Sequence, residues 1–152
     1  MARIRVAHDC AGTLTAAERL WFDLQRWPSF IDGFARVVGR EGDWPQAGSL
    51  LVWDSTPNGR GRVTERVTAY EPGEGQSVET EDPAITGVQR VSFETLADGV
   101  EVALELDYRL VKRGPLQPVV DVLFIRRAQR DSLARTLQRF ARELASDVAL
   151  RG

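Results

Sequence analysis

Histidine and cysteine each occur once in this chain, as His8 and Cys10. That scarcity excludes zinc fingers, iron–sulfur sites and disulfide frameworks, none of which can be assembled from one residue of each type. A Ser–His–Asp triad would have to run through His8 alone. Lysine is nearly missing too: of 20 basic residues, all but Lys112 are arginine. Long apolar runs are also lacking. The most apolar stretch, Val119 to Ile125, is short and carries Asp121, so no transmembrane helix and no integral membrane association are expected. The opening Met1-Ala-Arg-Ile-Arg-Val has no apolar core of a secretory signal. The expectation is a cytoplasmic protein, and a lone thiol fits a reducing compartment.

What is present points to one folded unit. At 152 residues the chain is read as a single domain, 1–152, long enough to bury a real core. An apolar share of 43% with 28% charged residues argues against disorder. A net charge of -2 gives no electrostatic reason to expect nucleic acid. The arginine excess reads mainly as a coding bias toward GC-rich codons. There is no internal repeat, linker or low-complexity segment.

The order of elements is legible from periodicity and turns. Ile4, Val6, His8 and Cys10 alternate with Arg3, Arg5, Ala7 and Asp9, a half-buried first strand. Thr15-Ala-Ala-Glu18 predicts a capping box opening a helix, with Ala17, Leu20, Leu24 and Trp27 at helical spacing. Pro28 is expected to stop or bend it, and Ser29 to Gly33 to form a second short helical turn. Six strands follow. Pro57-Asn58-Gly59 separates Leu50–Ser55 from Arg62–Tyr70, and Pro72-Gly73-Glu74-Gly75 and Glu81-Asp82-Pro83 close the next two. Asp98-Gly99, a strong hairpin signal, joins Gly87–Leu96 to Val100–Val111. Gly114-Pro115 then opens a helix expected from Leu116 to about Ala145, roughly 45 Å long.

Strand, two short helices, six-strand meander and long terminal helix: this order resembles the START/Bet v 1-like (SRPBCC) superfamily, in its bacterial polyketide cyclase/dehydrase-like branch. Asp23-Leu24-Gln25-Arg26-Trp27-Pro28-Ser29-Phe30 is similar to that family's Asp-x-x-x-Trp/Tyr-Pro-x-Trp/Phe stretch. Gly48-Ser49, Gly114-Pro115-Leu116 and the Arg-rich Ile125–Asp131 fit as well. The resemblance spans nearly the whole chain. It implies an α+β helix-grip fold, β-α-α-β6-α, with a curved seven-stranded antiparallel sheet wrapped around the C-terminal helix. It further implies a hydrophobic cavity between sheet and helix, and many members need no cofactor. Gly59-Arg60-Gly61 lacks the third glycine of a nucleotide loop and sits in a hairpin, so none is expected here.

Alternation supplies the candidate cavity residues. Val63, Val67 and Ala69 share a strand face with Glu65. If Glu65 is desolvated there, its pKa rises and it can act as a general acid or base; a strand bulge or a place at the cavity mouth would leave it in water. In the last strand Val102, Leu104, Leu106, Tyr108 and Leu110 face one side, and Glu101, Glu105, Asp107 and Arg109 the other. Tyr108 either offers its hydroxyl to a ligand or is an ordinary core phenol with a backbone partner. His8 is either a proton shuttle or a satisfied core residue. Cys10 beside it lacks a third orienting group for thiolate chemistry.

On the long helix, Val119, Leu123, Leu133, Leu137, Phe140, Leu144 and Val148 form a stripe at about 100° per residue, and Arg126 and Arg130 fall inside it. Those two guanidinium groups either bind a carboxylate or enolate, or snorkel to solvent where the helix lifts off the sheet. Trp27, Phe30, Trp53, Val91 and Phe93 would add apolar wall.

Two functional readings follow. The first is a module binding a hydrophobic small molecule, a lipid, polyketide or isoprenoid-like compound, as a monomer or weak homodimer. The second is a cofactor-free polyketide aromatase/cyclase or dehydratase, in which Glu65, Tyr108 or His8 moves protons while Arg126 or Arg130 stabilises an enolate. This reading requires at least three of those groups to converge on one volume. A third possibility, action through protein partners, would need a large apolar patch on the outer sheet face.

Overall fold

The computed structural model describes residues 1–111 and 119–151, without the side chains of 119–121. The first strand is β1 (Ala2–Cys10), followed by α1 (Leu14–Trp21), a 3-10 turn over Leu24–Arg26, and α2 (Trp27–Phe30). Six strands come next: β2 (Phe34–Glu41), β3 (Leu50–Ser55), β4 (Arg62–Glu71), β5 (Gly75–Glu81), β6 (Ile85–Leu96) and β7 (Gly99–Leu110). The chain ends in α3 (Val119–Arg151), 33 residues and about 50 Å long. The expected break at Gly114-Pro115 and helix start at Leu116 lie outside the described residues.

All seven strands form one antiparallel sheet in the order β1-β7-β6-β5-β4-β3-β2. The meander is therefore consecutive, and β1 returns to its far side, with Ile4 opposite Leu106. This is the α+β helix-grip architecture that the element order implies: the sheet curves along α3, and the apolar face of β7 lies between them.

Two local expectations are corrected. Thr13, not Thr15, caps α1, its Oγ1 accepting from the Ala16 N–H at 3.1 Å. Glu18 closes no capping box; its carboxylate reaches the Gly73 N–H in the β4–β5 turn. Pro28 occupies the first turn of α2, where a missing N–H costs nothing, so it starts a helix rather than ending one.

The short helices are fixed to α3 on both flanks. Arg26 donates to Glu143 at 2.8 Å and Asp147 at 3.0 Å. Trp21, Phe30 and Phe140 make a three-ring cluster with centroids 5.2–5.5 Å apart, a favourable tilted and edge-on arrangement. Asp32, just after α2, receives Ser132 Oγ at 2.8 Å, Arg135 at 3.1 Å and Arg139 at 3.2 Å. Burial pushes its carboxyl up, but the Arg135 and Ser132 hydrogen bonds hold it below its usual pKa. The middle of α3 is thereby locked, whereas Val122, Leu123 and Phe124 near its start are exposed.

Candidate functional site

Between the sheet and α3 lies an inner chamber of about 50 Å³. Trp53 of β3, Glu65 of β4, Gln76 and Val78 of β5, Gln89 and Val91 of β6, and Leu104 of β7 line its sheet side. Trp21, Trp27, Ile31 and Asp32 close one end, and Gln129, Ser132, Leu133 and Thr136 of α3 form the opposite wall. The volume holds a few waters or a small head group, not a whole apolar molecule. Outside it a wider recess of about 740 Å³ runs between α3 and the β3–β4 and β5–β6 turns, within the usual range for ligand pockets. Asp32, Arg60, Gln129 and Ser132 line both volumes and so form the neck between them.

Glu65 is the chemical centre of the chamber. Strand alternation turns it inward between Val63 and Val67, and only 5% of its surface is exposed. Burial pushes its carboxyl up to about 7, against weaker opposition from the Arg60 charge and the Trp53 indole N–H. That N–H does not reach ordinary hydrogen-bond geometry, and among the described residues Trp53 Nε1 is the buried side-chain polar atom left without a partner. The face does not continue to Ala69, which is exposed. A register shift between Val67 and Ala69 puts a bulge there, and the residues beyond it change sides.

Arg60 forms the neck. Its Nε donates to Asp82 at 2.6 Å and its Nη2 to Thr80 Oγ1 at 3.1 Å, while the guanidinium lies 5.9 Å from the Trp53 ring centroid. Asp82 in turn accepts from the Ala84 and Ile85 N–H groups, so the pair is built into the β5–β6 turn.

Of the residues the sequence nominates, the structure brings Trp27, Trp53, Glu65, Val91 and Leu104 to the chamber. Phe30, Val63, Val67, Phe93 and Leu106 are buried in the packed core without lining it. Tyr108 is also buried away from the chamber; burial raises its pKa, and the Arg126 charge opposes that. His8 is exposed, with Nδ1 2.8 Å from the Asp9 carbonyl oxygen. Leu123 and Arg130 are exposed, and half-buried Arg126 donates to the Arg3 carbonyl of β1 at 3.1 Å. The side chain of Val119 lies outside the described residues. Glu65, Tyr108, His8 and the two arginines therefore do not converge on one volume.

The displacement of the arginines has a simple origin. The helix stripe does run through Leu133, Leu137, Phe140 and Leu144. Going back from Leu133 by three residues gives Arg130, by four Gln129; the exposed Leu123 favours the first step on paper. The structure takes the second, which rotates Ile125, Gln129 and Ser132 toward the pocket and the arginines toward β1 and solvent. Gln129, Ser132 and Thr136, at helical spacing, are the signal that would have found this phase. Gln76 and Val78 alternate on β5 and were legible in the same way. Arg60 was not: it sits in a turn, where no periodicity applies.

Among the described residues no group of His, Cys, Asp and Glu is placed to hold a metal ion, and no helix is long and apolar enough to cross a membrane.

The family described as polyketide cyclase/dehydrase and lipid transport matches residues 1–145. No curated protein sequence matches the chain. Among solved structures, TTHA0849 from Thermus thermophilus is similar at 17% identity and a TM-score of 0.77, covering 96% of this chain and 99% of its own. The di-domain ARO/CYC StfQ of the steffimycin biosynthetic pathway aligns at 19% identity and a TM-score of 0.73, over 95% of this chain and 51% of its own. Norcoclaurine synthase from Thalictrum flavum aligns at 13% identity and a TM-score of 0.68, over 94% of this chain and 92% of its own. At such identities these likenesses speak for the fold alone.

Proposed function

This chain belongs to the polyketide cyclase/dehydrase and lipid transport family, and from that premise we propose that it binds a lipid, polyketide or isoprenoid-like molecule with its polar head at Glu65. The apolar body would occupy the outer recess, and the head would pass the Arg60 neck to meet Trp27, Trp53, Val91 and Leu104. The observation that carries the reading is a buried carboxyl at the end of a two-part pocket, with a vacant indole donor beside it. A filled core gains nothing from that arrangement, because each unsatisfied buried polar group costs free energy.

Native mass spectrometry of freshly purified protein tests it. A retained apolar compound, released on denaturation, is expected. Ala128→Trp, which narrows the recess from the exposed side of α3, should weaken binding of the neutral dye Nile red by about tenfold or more. Bare protein that also gives no saturable Nile red signal would sink the proposal.

A second reading, a cofactor-free aromatase/cyclase or dehydratase, is favoured by one observation, the carboxyl pKa of about 7. A group so poised gives and takes protons near neutral pH. It would act alone, without the partners expected from the sequence. Turnover of a poly-β-ketone thioester should then follow a single ionisation near neutrality and vanish in Glu65→Gln; absence of turnover by wild-type protein removes this reading.

A further inference from the structure

Resting on the reading that a head group meets Glu65, we infer that the inner chamber takes an uncharged, hydroxyl-bearing head, a phenol, enol or alcohol, and rejects carboxylate and phosphate heads. Arg60 is the one cation among the described lining residues of the chamber, and Asp82 already engages it at 2.6 Å. In the outer recess Arg135 is engaged by Asp32 at 3.1 Å. An anionic head would therefore enter beside Glu65 while each lining cation is already engaged by a carboxylate. A buried charge in that position is strongly disfavoured.

The donors and acceptors of the chamber make the same selection. Glu65 offers carboxyl oxygens, and Trp53 Nε1 offers a buried N–H without a partner. Gln76 keeps its carbonyl oxygen available, because its Nε2 donates to the Pro45 carbonyl at 3.1 Å. A hydroxyl answers this set with one atom, donating to Glu65 while accepting from Trp53. A ketone or ether only accepts, so it has no proton to give an ionised Glu65. An ammonium only donates, leaving the indole N–H unpartnered and adding a second positive charge beside Arg60. The small chamber suits the same choice, since a hydroxyl and its carbon fit where a chain does not.

Isothermal titration of wild-type protein with 2-naphthol, 2-naphthoate and naphthalene at pH 8, where Glu65 is ionised, tests the inference directly. 2-Naphthol should bind about tenfold or more tightly than either companion. Glu65→Gln, which removes the repulsive charge in an isosteric side chain, should strengthen 2-naphthoate binding by about tenfold. Trp53→Phe should lower 2-naphthol affinity and leave naphthalene unchanged. The wild-type comparison stands whether or not either variant folds. If 2-naphthoate binds as tightly as 2-naphthol, the inference is overturned and the binding reading survives. If none of the three binds, both fall together.

Discussion

Burial of Glu65 makes its protonation part of the stability of the fold. The unfolded chain ionises near the ordinary 4.5 and the folded chain near 7. Below both values the carboxyl is protonated in both states and there is no penalty. Between them the unfolded state loses its proton first, so stability falls as pH rises, and above 7 the loss is complete. The gap corresponds to about 3 kcal/mol. Glu65→Gln should therefore match wild type near pH 4 and exceed it by up to about 3 kcal/mol near pH 8, read by urea unfolding. A variant less stable than wild type at the higher pH would contradict this. Cys10 is a second residue-scale case: burial raises its thiol to about 11, so it should resist iodoacetamide at neutral pH until the protein is unfolded. Alternation found Glu65 because strand parity decides the face. It misplaced His8, because parity on β1 does not say whether the opposing layer reaches that far along the strand.

Among the elements, α3 carries the most information and the largest error. Its C-terminal half buries Leu137, Phe140 and Leu144, and the rings of Trp21 and Phe30 close on Phe140. Phe140→Ala should cost about 3–5 kcal/mol. Leu123→Ala, at 60% exposure, should stay within about 0.5 kcal/mol. Chemical denaturation of the two variants separates a helix anchored at its C-terminal half from one packed evenly along its length. Periodicity weighs every apolar residue alike, and the stripe left open whether the helix meets the sheet at Arg126 and Arg130 or lifts off it there. A helix wall that includes Gln129, Ser132 and Thr136 breaks that equal weighting where the pocket lies. Strand ends fared better, within two residues at Leu50–Ser55, Arg62–Tyr70 and the Asp98-Gly99 hairpin, because glycine, proline and asparagine mark turns by their own backbone preferences. The bulge after Val67 leaves no such mark.

At the scale of the whole molecule, the antiparallel meander was legible because each turn joins neighbours in the sheet. The return of β1 to β7 came only with the family resemblance, since nothing local links residues about a hundred positions apart. Pocket and packed core were indistinguishable in advance, as both draw on the same inward residues. Because β1 pairs along its whole length with β7, removing residues 1–10 should uncover Leu104, Leu106 and one side of α3 together. We expect that truncation to lose cooperative thermal unfolding; a sharp transition would show β1 to be dispensable. The sheet leaves two unpaired margins, and each is spoiled as a template for strand addition. On β2 two register shifts, at Phe34/Arg36 and Val37/Gly39, break the repeat that a docking strand would need, and Arg36, Arg40 and Glu41 charge it. On β1 the Arg3 carbonyl is taken by Arg126. An arginine that the sequence left between a ligand and solvent thus helps to keep one copy of this protein from extending the sheet of another.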